Sequence, residues 1–146
     1  MLVSLFTDAS FSIQKREGAC GFWIKSDRGR RQGSKKISRP VRTVDIAEMM
    51  AVANGLVFGW RTGVIRAEDT VLIQTDSLAA IHKFHQKKKI RDPEAAEIVK
   101  LVKDFATIHC LDLKFRHVKG HSSKGAPRFM VNKLVDKLAG QARKRK

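Results

Sequence analysis

Cysteines, acidic residues and long hydrophobic runs are all scarce in this chain. The two cysteines, Cys20 and Cys110, lie far apart, with no CxxC pair and no secretory leader ahead of them, so we expect buried, reduced thiols. No apolar run approaches the roughly 18 residues of a membrane span. These absences argue against a disulfide scaffold and against a membrane protein, and we expect a soluble, intracellular, cytoplasmic chain.

The shortage of acidic residues leaves a large positive charge. Lys+Arg 30 against Asp+Glu 14 gives a formal net charge of +16 and a pI near 10.5. Such an excess favours a polyanionic partner, and binding through phosphate contacts should weaken steeply with salt. Composition therefore predicts a nucleic-acid-binding protein, and a non-catalytic basic binder fits it as well as an enzyme does.

The length and hydrophobic patterning predict one α/β domain over residues 1–146, which we expect to be monomeric. A meander of three antiparallel strands comes first, and crossover connections then add strands parallel to the first strand. The result is a five-stranded mixed sheet with helices on both faces. The predicted strands are Leu2–Thr7, Ala19–Lys25, Arg30–Ile37, Val71–Thr75 and Leu111–Val118, and the predicted helices are Thr43–Trp60, Leu78–Phe84, Pro93–Ile108 and Val131–Ala142, with a loop at 120–128.

Two of the predicted strands end at an aspartate. Asp8 follows the first strand and Asp76 follows the fourth, and each is succeeded by small or hydroxyl residues that favour a sharp turn. If the two strands are parallel neighbours, both carboxylates emerge at the same edge of the sheet, where open α/β folds hold their ligands.

Two further acids complete a predicted cluster. Glu48 lies among apolar residues of a buried helix, where an unpaired carboxylate is costly, and Asp136 lies four residues after Asn132 on one face of the last helix. Four clustered carboxylates repel one another unless cations offset their charge. Oxygen ligands select Mg²⁺ or Mn²⁺, and two such ions support phosphodiester hydrolysis.

The ordered motifs of the chain resemble ribonuclease H of type I. They are LFTDAS, an Ala-Glu-Met-Met helix, IQTDSLAAI, HVKGHSS and VNKLVDKLAG, and together they span most of the sequence. The resemblance implies that Asp8, Glu48, Asp76 and Asp136 bind two Mg²⁺ ions, for which Mn²⁺ can substitute. It also implies cleavage of the RNA strand of RNA/DNA hybrids, leaving a 3′-hydroxyl and a 5′-phosphate.

The same resemblance assigns supporting roles. His121 matches a mobile catalytic histidine that helps the product leave, Asn132 matches an asparagine near the metals, and Ser10 matches a residue that approaches the nucleic-acid backbone. Lysines outside the acidic cluster are expected to contact phosphates. These are Lys87, Lys88, Lys89 and Lys119.

The chain departs from the family pattern just before the glutamate. Members commonly have an asparagine-rich turn that contacts the hybrid, and this chain has Val44-Asp45-Ile46. Ala9 also replaces the glycine usual after the first aspartate. The first change keeps open a second hypothesis, a structure-selective DNA nuclease that uses the same fold and metals. A third hypothesis is a non-catalytic nucleic-acid-binding module that retains the fold.

Overall fold

The computed structural model describes residues 1–118 and 127–144, and for 127–133 it describes the backbone only. Within these residues the elements alternate as the sequence predicts, with three strands before the first helix. The strands are β1 (Leu2–Ser12), β2 (Glu17–Ser26), β3 (Gly29–Lys36), β4 (Thr70–Thr75) and β5 (Asp112–His117), and the helices are α1 (Val44–Arg61), α2 (Leu78–His85), α3 (Pro93–Ile108) and α4 (Pro127–Lys144).

The five strands form one mixed sheet in the order β3-β2-β1-β4-β5. β1 pairs antiparallel with β2, and β2 pairs antiparallel with β3, which is the predicted meander. β4 pairs parallel with β1 on its other side, and β5 pairs parallel with β4. The predicted α/β class, strand number and strand directions are therefore confirmed.

Helices cover both faces of the sheet. Successive side chains of β1 point to opposite sides, so neighbouring residues show what packs on each face. Leu5 belongs to the main core, which contains the buried residues of α1 such as Leu56. Phe6 points the other way and packs with Trp23 and with Val135 of α4. One side of β1 thus faces α1 and the other faces α4.

The predicted turn directly after Asp8 is wrong. β1 continues to Ser12, because its antiparallel ladder with β2 runs on through Asp8↔Gly21 to Ser12↔Glu17. The parallel ladder with β4 ends at Phe6↔Gln74. From Asp8 onward β1 is therefore paired on the β2 side only, which leaves an opening on its β4 side.

Helix starts follow local capping chemistry. Thr43, Ser77 and Asp92 are the N-caps of α1, α2 and α3, and each side chain accepts a backbone N–H of the first turn. Pro93 occupies the first turn of α3, as the sequence predicts. The terminal helix is longer than the predicted Val131–Ala142, since residues 127 and 128 of the expected loop are already helical.

The two cysteines differ in environment. Cys20 is buried on β2, and burial raises the pKa of its thiol to about 12. Cys110 is exposed, so the expectation that both thiols are buried is wrong for this residue. It lies in the turn between α3 and β5 with φ 56, outside the regular elements that build the core. Among the described residues, no helix combines the length and apolar character needed to cross a bilayer.

Candidate metal centre

Asp8 is buried near the middle of β1. Its residue is 3% exposed, and it faces the α4 side of the sheet together with Phe6 and Ser10, since alternate residues of a strand share a face. The backbone N–H of Ala9 donates to Asp8 Oδ1 at 2.9 Å. This N–H lies where β1 has lost its β4 partner, so the open side of the strand holds the carboxylate in place.

Glu48 reaches the same place from α1. The helix begins after Thr43, whose side chain accepts the N–H of Ile46, and Glu48 follows one turn into it. The residue is 6% exposed, and its Oε2 is buried without a hydrogen-bond partner. A buried, unsatisfied carboxylate oxygen carries a large desolvation cost, so its position calls for a cation or a proton.

Asp76 follows β4 and is half-buried. The strand ends at Thr75, and the side chain of Ser77 caps α2 by accepting the N–H of Ala80, so the chain turns directly at the aspartate as predicted. A ring nitrogen of His117, at the end of β5, lies 3.1 Å from the backbone oxygen of Asp76. The two neighbouring parallel strands therefore both contribute to the position of this residue.

The carboxylates of Asp8, Glu48 and Asp76 converge, with one oxygen of each lying within 4.8 Å of the others. The pKa of Asp8 lies well above its ordinary value, first because burial disfavours its charged form and then because Glu48 and Asp76 add negative charge beside it. Burial followed by the charge of Asp76 raises the pKa of Glu48 in the same way. Without a cation the cluster therefore retains protons.

This donor set fits a divalent cation. Three carboxylates supply hard oxygen ligands of the kind that Mg²⁺ and Mn²⁺ prefer, and the unpartnered Oε2 of Glu48 is a ligand atom that lacks any competing hydrogen bond. A cation between the carboxylates would replace the retained protons and remove the mutual repulsion.

Asp136 lies beside this cluster rather than within it. The residue is exposed on α4, but its carboxyl is within hydrogen-bonding reach of Asp8 and contributes to the raised pKa of both Asp8 and Glu48. The described structure therefore brings all four predicted acids to one region, with three in contact and the fourth at the solvent side.

The supporting residues are placed less completely. Lys87, Lys88 and Lys89 are exposed between α2 and α3. His121 and Lys119 lie outside the described residues. Asn132 lies in α4, with its side chain outside the description. The predicted roles of all six residues, including Asn132, remain predictions.

Two features of the site were not anticipated from the sequence. A Cβ added to Gly21 would lie 2.2 Å from the backbone oxygen of Val135, so this glycine is what allows α4 to approach the sheet opposite Asp8. A glycine inside a strand was the available signal, since it often marks such an approach. The second feature is Arg143, whose Nε donates to Ser10 Oγ at 2.7 Å. Sequence spacing gave no signal for that contact.

A mixed five-stranded sheet that brings three carboxylates together is suited to an enzyme of the metal-dependent class, and comparison with known proteins specifies the family. The model of the RNase H family matches residues 2–144. The chain therefore belongs to the RNase H family and is a ribonuclease H by class.

Solved structures share the fold. RNase H1 from the halophilic archaeon Halobacterium salinarum is 21% identical, with a TM-score of 0.75 and 97% of each chain covered. LC11-RNase H1, isolated from compost by a metagenomic approach and solved in complex with an RNA/DNA hybrid, is 18% identical, with a TM-score of 0.76 and coverage of 97% of this chain and 96% of that one. The N-terminal RNase H domain of a Mycobacterium tuberculosis protein is 16% identical, with a TM-score of 0.72 and coverage of 98% and 99%. A search of curated proteins found no match.

Proposed function

We propose that the protein hydrolyses the RNA strand of RNA/DNA hybrids with two Mg²⁺ ions, for which Mn²⁺ can substitute, leaving 3′-hydroxyl and 5′-phosphate ends. The observation that carries this proposal is the convergence of Asp8, Glu48 and Asp76 from three separate elements in a member of the RNase H family. The presence of an RNA/DNA hybrid in the LC11-RNase H1 complex supports the substrate class.

The residues have distinct roles in this proposal. Asp8, at the centre of the cluster, lies within hydrogen-bonding reach of both Glu48 and Asp136, and the four residues Asp8, Glu48, Asp76 and Asp136 would together hold the ions. When bound, two such ions activate a water molecule and stabilise the departing oxygen of the phosphodiester. The convergence of the described carboxylates supports this cluster as the place of the reaction, and His121 is proposed to help the product leave.

Charge supplies the affinity for substrate in the proposal. A net charge of +16 attracts any polynucleotide, and the exposed Lys87, Lys88 and Lys89 extend the basic surface beyond the acidic cluster. Contacts of this kind position a duplex without reading its bases. Hybrid selectivity would then depend on groove shape and on ribose 2′-hydroxyls. We also propose that the protein acts as a monomeric single domain.

One observation keeps the structure-selective DNA nuclease as the second candidate. Val44, at the start of α1 and four residues before Glu48, is 50% exposed where the family commonly presents asparagines to the hybrid. An apolar side chain cannot make those hydrogen bonds, so hybrid selectivity must rest on other contacts if it exists.

A substrate panel tests the proposal. One labelled sequence is offered as RNA/DNA hybrid, double-stranded RNA, double-stranded DNA and branched DNA, with Mg²⁺ or EDTA, to the parent protein and to Asp76→Asn. Asp112→Asn is the matched control, because Asp112 is an exposed carboxylate at the start of β5, outside the cluster. We expect cleavage confined to the RNA of the hybrid, dependent on Mg²⁺, retained by the control and lost in Asp76→Asn. Cleavage of branched DNA instead would establish the second candidate, and binding without cleavage would leave a nucleic-acid-binding module.

A further inference from the structure

The hydrogen bond between Arg143 and Ser10 joins the last turn of α4 to β1 beside the metal centre. Arg143 Nε donates to Ser10 Oγ at 2.7 Å. Ser10 lies two residues after Asp8 on the same face of the strand, a separation on the order of 7 Å. That distance is close to one nucleotide step along a polynucleotide backbone.

The register of α4 places this contact and the metal centre on one strip of surface. Asp136 and Arg143 are seven residues apart, which is about two helical turns, so they project from the same side of the helix. Asp136 reaches Asp8, and Arg143 reaches Ser10. The approach of the helix to Gly21 maintains this alignment along β1.

Arg143 differs from three ion-paired arginines in the partner it contacts. Arg28, Arg39 and Arg42 form ion pairs with Asp or Glu residues. Within the side chains that the structure describes, Arg143 pairs with a hydroxyl and forms no ion pair, so its positive charge is not neutralised.

The geometry also leaves donors available. The contact with Ser10 uses Nε, and among the described residues the two terminal guanidinium nitrogens make no other hydrogen bond. A serine hydroxyl that accepts one hydrogen bond can still donate its own proton. A guanidinium and a hydroxyl together form a suitable site for phosphate oxygens.

A purely structural role is the competing explanation. A cation in the last turn of a helix interacts favourably with the helix dipole, and a single hydrogen bond to β1 would fasten the end of α4. This explanation predicts a change in thermal stability and leaves the response of nucleic-acid binding to salt unaffected, which separates it from a phosphate contact.

We propose that Arg143, oriented by Ser10, binds a backbone phosphate of the nucleic acid about one nucleotide step from the bond that is cleaved. The proposal rests on the proposed function, because it takes the carboxylate cluster as the place of cleavage. It adds to the expected role of Ser10, which would position Arg143 as well as contact the same phosphate. Arg143 is a positioning residue and does not touch the reacting atoms.

The test compares Arg143→Ala with Arg61→Ala. Arg61 is exposed in the last turn of α1, about 20 Å along the helix from Glu48, so its removal changes the net charge equally at a distance beyond the Debye length. Binding of an RNA/DNA hybrid is measured in EDTA across a range of KCl concentrations. Loss of one phosphate contact should lower the slope of log K against log salt by about 0.9 and weaken binding roughly tenfold. The Arg61 variant should keep the parent slope.

Steady-state cleavage and a double mutant supply further readouts. Arg143→Ala should raise KM with little change in kcat, as expected when a contact present both before and during the reaction is lost. Ser10→Ala should produce a smaller effect in the same direction, and adding it to Arg143→Ala should change little further, because the two residues act as a unit.

The two proposals fail in different ways. If the parent protein cleaves hybrids with Mg²⁺ but Arg143→Ala matches Arg61→Ala in salt slope, affinity and KM, the phosphate contact is refuted, whatever its melting temperature. If the parent protein binds hybrids with an Arg143-dependent slope but cleaves none, the hydrolytic function is refuted and the phosphate contact is retained. If the parent binds no hybrid, both are refuted.

Discussion

Replacing Asp8 with asparagine should stabilise the metal-free protein while abolishing its activity. The folded chain holds three carboxylates within 4.8 Å of one another, and burial is the main reason that the Asp8 pKa is raised. Asparagine removes one negative charge from the centre of this cluster and supplies an amide that can donate to Glu48, whose Oε2 has no partner. Activity is lost because the substituted side chain no longer provides a charged ligand.

The expected gain in the free energy of unfolding equals the cost of a buried polar group without a partner, which is about 1–3 kcal/mol. For a chain of this size that corresponds to an increase in melting temperature of roughly 3–10 °C. The size of this stabilisation depends on pH. Between the ordinary carboxyl pKa and the raised pKa of the cluster, the folded state binds more protons than the unfolded state, so stability falls as pH rises. The advantage of Asp8→Asn should therefore be larger at pH 8 than at pH 5.

Thermal unfolding in EDTA at these two pH values measures the effect, with Asp112→Asn as the control for loss of one exposed carboxylate. Adding Mg²⁺ should stabilise the parent protein more than the Asp8 variant and so narrow the gap between them, because a ligand that binds only the folded state raises its stability. An Asp8→Asn protein that is less stable than its parent at pH 8 in EDTA, or a gap that is equal at both pH values, would refute this reasoning.

Two other predictions concern the packing of helices and an ion pair outside the carboxylate cluster. Gly21→Ala should destabilise the protein by about 1–3 kcal/mol or more and lower its activity, because the added Cβ would lie 2.2 Å from the backbone oxygen of Val135. Gly140→Ala is the control, because a Cβ there meets nothing within 4 Å. In the same denaturation assay it should stabilise the protein by roughly 0.5–1 kcal/mol. Asp69→Asn should lower the melting temperature by several degrees at pH 7, because a hydrogen-bonded ion pair with Arg28 holds the pKa of this buried carboxyl at about 2. That loss should disappear as pH falls from about 4 to about 2, where the parent carboxyl is itself protonated; a difference that persists at pH 2 would contradict the ion-pair explanation.

The fold was largely predictable, because the spacing of hydrophobic residues and the positions of turn residues determine helices and strands locally. The antiparallel and parallel strand directions followed from the meander and from the crossover connections, and the start of α3 followed from Asp92 and Pro93. The end of β1 was not predictable in the same way. Its continuation past Asp8 depends on pairing with β2, a partner that local propensity does not reveal.

The candidate site was predictable as a set of residues more than as a geometry. Sequence patterning placed Asp76 correctly at the end of a strand, whereas Asp8 was found although the expected turn after it is absent. The contact between Arg143 and Ser10 spans 133 positions of the sequence and depends on how α4 packs against the sheet. No local pattern encodes that packing.

The central claim is tested most directly by identifying the ends of the fragments cut from a single RNA/DNA hybrid. The RNA strand is labelled at its 5′ end and incubated with the parent protein or Asp76→Asn, in Mg²⁺ or EDTA, and the ends of the fragments are identified. The account predicts fragments with a 3′-hydroxyl, formed only by the parent protein and only with Mg²⁺, because water is the nucleophile at the carboxylate centre. Fragments that end in a 2′,3′-cyclic phosphate, or cleavage that persists in EDTA or in Asp76→Asn, would contradict it, since the ribose 2′-hydroxyl or another group would then perform the reaction.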